Sequence, residues 1–120
     1  MSKLLGKNRK LVETVEVEVD GEKVKIDLRK PSVGEVMKTV SAGKLAGELD
    51  AEGKLDEADP LKGMSFVARA LIMVAYDPET KRPLFKAEQV PDIVEEDWFL
   101  SIGSKIMAAF SVEPEAIKGK

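Results

Sequence analysis

Val12-Glu13-Thr14-Val15-Glu16-Val17-Glu18-Val19-Asp20-Gly21-Glu22-Lys23-Val24-Lys25-Ile26-Asp27-Leu28 decides the fold of this chain. Val15, Val17 and Val19 alternate with Glu16 and Glu18, and Val24, Ile26 and Leu28 alternate with Lys23, Lys25 and Asp27. That period of two belongs to strands buried on one face. Asp20-Gly21, between the two runs, is a residue pair that two-residue hairpin turns favour. Closing the turn there sets Val19 opposite Glu22, Val17 opposite Val24 and Val15 opposite Ile26 on one face. The same register sets Glu18 opposite Lys23 and Glu16 opposite Lys25 on the other. A slip of one residue would spoil both patterns at once, so the stretch is a β-hairpin with an apolar and a charged face.

Beyond the hairpin, Pro31 biases Lys30 away from the helical region, and Ser32 with Glu35 forms a capping box, so a helix of about three turns starts at Ser32. Val33, Val36, Met37 and Val40 form its apolar stripe, and Gly43 and Gly47 weaken or end it. Residues 43–59 are rich in Gly, Ala, Asp, Glu and Lys with isolated leucines, which predicts a mobile acidic loop or a partly helical linker that buries little. Their acidic residues lack the spacing of a calcium loop. Asp59-Pro60 starts the main core helix, with Met64, Val67, Ala68, Leu71, Ile72 and Ala75 at helical spacing and Phe66 and Val74 widening the stripe. Arg69 is its one charged residue after Lys62. It either faces solvent, the commoner arrangement, or is buried and grips a ligand carboxylate. A turn-rich connection runs from Tyr76 to Phe85, and residues 87–94 form a short helical turn. Asp97 caps a last helix with Phe99, Ile102, Ile106, Met107, Ala109 and Phe110 inward, Trp98 beside them and Gly103 allowing close packing.

The 120 residues suit a single core. The predicted class is α+β, an N-terminal β-hairpin packed on a bundle of three to four helices. Its body spans residues 12–112, flanked by a flexible basic arm at 1–11 and a flexible tail at 113–120. Apolar residues make up 43% and charged residues 34%, the balance of a folded globular chain rather than a disordered one. A net charge of −3 argues against a dominant attraction to nucleic acid or anionic lipid, and the basic cluster Lys3, Lys7, Arg9 and Lys10 lacks aromatics that would stack on bases. The longest apolar run, Ala70 to Tyr76, falls far short of the roughly 20 residues a membrane span takes. With no secretory leader pattern at the N-terminus, the expected compartment is the cytoplasm.

Neither histidine nor cysteine occurs. Their absence removes Ser-His-Asp and Cys-His constellations, thiolate metal sites and disulfides, and leaves no side chain that titrates near neutrality unperturbed. Phosphate-binding glycine loops are also missing, so no cofactor, metal or catalytic residue is expected and the chain reads as a non-enzyme. What remains is an apolar surplus on a domain with two strands of its own, whose edges invite pairing. The candidate protein-binding residues are Trp98, Phe99 and Phe85 on the helical side and Val24 and Ile26 on the hairpin.

The order of these features resembles the tail assembly chaperones of tailed phages and prophages over residues 12–112. Arg29-Lys30-Pro31-Ser32-Val33-Gly34-Glu35-Val36 looks like that family's hairpin-to-helix junction. The run Asp77-Pro78-Glu79-Thr80-Lys81-Arg82-Pro83-Leu84-Phe85 looks like its D-x-x-G-x-x-x-F connection with one residue more after Asp77, and Lys81 stands where a glycine is common. The resemblance implies a protein without an active site that binds the tape measure protein and helps recruit tail tube subunits, while the open edges of the hairpin give scope for self-association. A different class of function, a small nucleic-acid-associated or regulatory domain using the basic arm, is the alternative expectation.

Overall fold

A computed structural model describes residues 10–55 and 59–110. The fold is α+β: a three-stranded antiparallel sheet at the N-terminal end and five α-helices among the described residues. Strands β1 (Leu11–Val19) and β2 (Glu22–Arg29) form the hairpin, with Val19↔Glu22, Glu18↔Lys23, Val17↔Val24, Glu16↔Lys25 and Val15↔Ile26 in register, the pairing the alternation predicts. Asp20 and Gly21 have φ of 53° and 82°, the positive pair that a type I′ turn requires. A bulge between Leu11 and Glu13 leaves Val12 unpaired and exposed. The strand begins at Leu11, one residue inside the stretch assigned to the arm. Residues 1–9 of that arm, and residues 111–120 with the tail, lie outside the described residues.

A third strand, β3 (Ala75–Tyr76), extends the sheet through Asp27↔Tyr76 and Leu28↔Ala75. The sequence shows only two strands, because β3 is two residues long and continues an apolar helix without a break in composition. Its arrival changes Asp27, which the alternation places on the solvated face. Asp27 is buried, accepts a hydrogen bond from Thr14 Oγ1 at 2.7 Å and one from Arg29 Nη2 at 3.4 Å, and thereby keeps its carboxylate satisfied.

Helix α1 (Val33–Leu45) starts at the expected capping box: Glu35 N–H donates to Ser32 Oγ at 3.1 Å and Ser32 N–H donates to Glu35 Oε1 at 2.8 Å. Its predicted stripe is half borne out: Val36 and Val40 pack against the core. Val33 and Met37 are exposed, and Thr39 and Gly43 are inside. The reason is closeness to helix α2 (Pro60–Val74): a Cβ on Gly43 would lie 2.8 Å from Phe66 Cδ1, so α1 seats its smallest residue against the ring. Thr39 satisfies its hydroxyl on its own helix, donating to the Glu35 carbonyl at 2.8 Å.

The segment after α1 buries more than its composition predicts. Leu49 and Glu48 are both buried, Leu49 bridges to Leu55, and Asp50 Oδ1 accepts from the N–H groups of Glu52 and Lys54, each at 2.9 Å. Asp59 then caps α2 by accepting from Leu61 and Lys62 N–H, with Pro60 at the first helical position. Phe66, Ala68, Ala70, Leu71 and Val74 make α2 the spine of the core, and Phe66 meets Phe110 edge-on at 5.9 Å and 86°.

The connection after β3 folds on Asp77, whose carboxylate accepts from Glu79 N–H at 2.7 Å and Thr80 N–H at 3.2 Å. Lys81 holds φ at 66°, the left-handed conformation that a glycine adopts without strain. A 3-10 turn at Ala87–Gln89 leads into α3 (Val90–Ile93). The single last helix of the sequence reading is two helices, α4 (Asp97–Ser101) and α5 (Gly103–Phe110), broken at Ile102, whose φ and ψ of −114° and 12° leave the helical region. Glu96, not Asp97, is the N-cap residue of α4. Gly103 has open space where its Cβ would be, so it serves no close helix contact.

Candidate partner-binding surfaces

The residues singled out for binding separate into core and surface. Ile26 and Phe99 are 3% and 1% exposed and serve the core, with Phe99 also bordering the groove between α2 and the α4–α5 bend. Both alternate with, or adjoin, surface residues on elements whose inner face must carry a large apolar side chain, and they fill that role. Val24 remains on the surface at 42% exposure, because the covering of the hairpin's apolar face reaches Val17 and Ile26 but leaves Val24 open. Phe85 and Trp98 are brought together as a half-buried stack, with ring centroids 6.0 Å apart and 17° between planes. The geometry suits a preformed aromatic contact, one side packed and one side wet.

Three further apolar features were not among the sequence candidates. On α1, Val33 and Met37 form an exposed pair one turn apart, and Leu45 stands exposed at the helix end. Between α2 and the α4–α5 bend, Leu55, Met64, Val67 and Leu100 line a shallow groove over Gly63 and Gly103. The third feature is a cleft along the outer face of α2, where Leu61, Ser65, Arg69 and Ile72 form the floor. Thr39 and Ala42 of α1, with Glu48, stand on one side of it, and Ala87, Val90 and Pro91 on the other.

An ion pair sits in the middle of this cleft. Arg69 Nε donates to Glu48 Oε1 at 2.7 Å, with the Glu48 side chain 7% exposed and that of Arg69 26% exposed. Neither arrangement weighed for Arg69 is the one found: the side chain is partly buried rather than solvent-facing, and the carboxylate it grips is the chain's own Glu48, not a ligand's. Charge is distributed unevenly along the cleft. Lys38 lines the end near Ile72, and Glu88 and Glu95 line the end near Leu61. Arg69 was visible in the sequence as the lone charge on an apolar helix. Its partner was not, since Glu48 lies 21 residues away in a segment without periodicity.

Among the described residues there is no group of three or more Asp and Glu side chains arranged to hold a metal ion, and no helix is long and apolar enough to cross a membrane.

No family model matches this chain, and no curated protein does. Among solved structures the chain is similar to one described as the structure of the bacteriophage HK97 tail assembly chaperone, with a TM-score of 0.50 and 17% sequence identity. The likeness covers 81% of this chain and 84% of that one, and at this identity it is a likeness of fold.

Proposed function

We propose that this chain is a non-enzymatic assembly factor of a phage or prophage tail, which binds a tape measure protein and aids the addition of tail tube subunits in the host bacterial cytoplasm. The observation that carries the reading is the fold shared with a phage tail assembly chaperone over most of both chains. The resemblance of residues 12–112 to that family adds support from the sequence side.

The chemistry of the surface agrees with binding. A chain without histidine or cysteine has few groups suited to proton transfer or nucleophilic attack at neutral pH. It does have exposed apolar side chains on α1, on the hairpin and along both grooves of α2. Helix-in-groove docking and strand addition are the two contact modes these elements allow.

The test is a pull-down of the tagged full-length protein against the products of its neighbouring tail genes, at low and high salt. Capture of one long, helix-rich chain that survives high salt is the expected result, because apolar contacts are not screened. Capture of nucleic acid alone, with a steep loss as salt rises, would replace this reading with a nucleic-acid-associated domain working through the basic arm.

A further inference from the structure

We propose that the cleft along α2 is the seat of a single helix, about three turns long, supplied by another polypeptide. Its apolar ridge would face Leu61 and Ile72, and a carboxylate in its middle turn would meet Arg69. Acidic side chains stand at the end near Lys38 and basic ones at the end near Glu88 and Glu95. The inference rests on the reading of this protein as one that works by binding proteins, and it names the kind of segment bound.

Length is the first argument. Leu61, Ser65, Arg69 and Ile72 recur at helical spacing along one face, and at about 1.5 Å per residue they span about 16 Å, which is three turns of a helix laid alongside. Both sides of that face are walled, by α1 and by the 87–91 turn, so the shape is a trough rather than a flat patch. Leu61 stands 60% exposed on its floor, an apolar side chain without cover from the described residues.

Arg69 supplies the second argument. A guanidinium has five N–H donors, and this one spends Nε on Glu48. Its other nitrogens have no partner among the described residues, and no buried side-chain nitrogen there lacks one, so these donors reach solvent. A carboxylate entering the trough can take them and complete a Glu48–Arg69–carboxylate chain of charge-assisted hydrogen bonds.

The third argument is the charge at the two ends. Lys38, Glu88 and Glu95 form no ion pair with any described residue. A trough with a free cation at one end and two free carboxylates at the other fixes the direction in which a bipolar helix lies, since the reversed helix would set like charges together.

The experiment uses the full-length protein and a labelled synthetic helix of about 18 residues, long enough to hold some helix in water. The probe carries leucines at i, i+3, i+4 and i+7, a glutamate in the middle turn, glutamates in the first turn and lysines in the last. Fluorescence anisotropy should show saturable binding. Leu61→Glu, Arg69→Lys and a lysine in place of the probe's middle glutamate should each weaken it about tenfold. Glu18→Gln, at an exposed position on the charged face of the hairpin, should leave it unchanged. Leu61→Glu alters an exposed position, so its fold survives and its result stands whatever Arg69→Lys does to stability. Absence of saturable binding at millimolar probe, or binding indifferent to both variants, overturns the proposal while the tape measure pull-down decides the assembly role separately. Self-association that Leu61→Glu abolishes would overturn it in favour of a second copy of this chain as occupant.

Discussion

The ring of Phe66 occupies the space a side chain on Gly43 would need, with Cδ1 2.8 Å and Cε1 3.0 Å from where that Cβ would stand. Phe66 has no room to retreat, because its other side meets Phe110 edge-on in the core.

Gly43→Ala is therefore expected to destabilise the protein by about 1 kcal/mol, the cost of overpacking exceeding the helix-propensity gain of an alanine. Gly63, also inside a helix, has nothing within 4 Å of its Cβ position. Gly63→Ala should stabilise by up to about 1 kcal/mol. Urea unfolding of both variants checks the opposite signs.

Arg69→Met removes the partner of a carboxylate that is 7% exposed. The expected loss is about 2–3 kcal/mol, somewhat below the value for a fully buried pair because Arg69 keeps a quarter of its exposure. The double variant Glu48→Leu/Arg69→Met should recover most of it, since no unpaired charge remains. A double-mutant cycle by chemical denaturation measures the coupling.

Phe99 and Trp98 are neighbours in sequence with opposite roles, and alanine scanning should separate them. Phe99→Ala is expected to cost about 3–5 kcal/mol, as a large buried ring does, so any loss of partner binding follows loss of fold. Trp98→Ala and Val24→Ser should leave the protein folded, Val24→Ser within about 0.5 kcal/mol of the parent. A drop in tape measure capture by either at unchanged circular dichroism marks a contact.

Lys81→Gly should raise stability by up to about 1 kcal/mol, the relief of a left-handed backbone less the extra chain entropy of glycine. The thermal midpoint reports it. Asp77 should be indispensable to the same loop, as its carboxylate organises the turn.

The elements written locally in the sequence are the ones it predicts well. The hairpin register follows from Val and Glu-Lys alternation around Asp20-Gly21, and the starts of α1 and α2 follow from Ser32-Glu35 and Asp59-Pro60, all within a few residues of the structure they specify. The features it hides depend on distant partners. Thr39 and Gly43 face inward because Phe66 is there, Asp27 is buried because β3 arrives from residue 75, and Glu48 is buried because Arg69 receives it. The candidate surfaces divide in the same way: Trp98 and Phe85 were legible as aromatics, whereas the cleft exists only once α1, α2 and the 87–95 segment are assembled around Arg69.

Phe110 ends α5 with its ring lodged against Phe66. The end of α5 is thus an anchored post rather than a frayed thread. Pull applied at Phe110 is carried directly into α2, the spine that also floors the cleft, and a hard tug there would loosen that ring contact before it reached the hairpin.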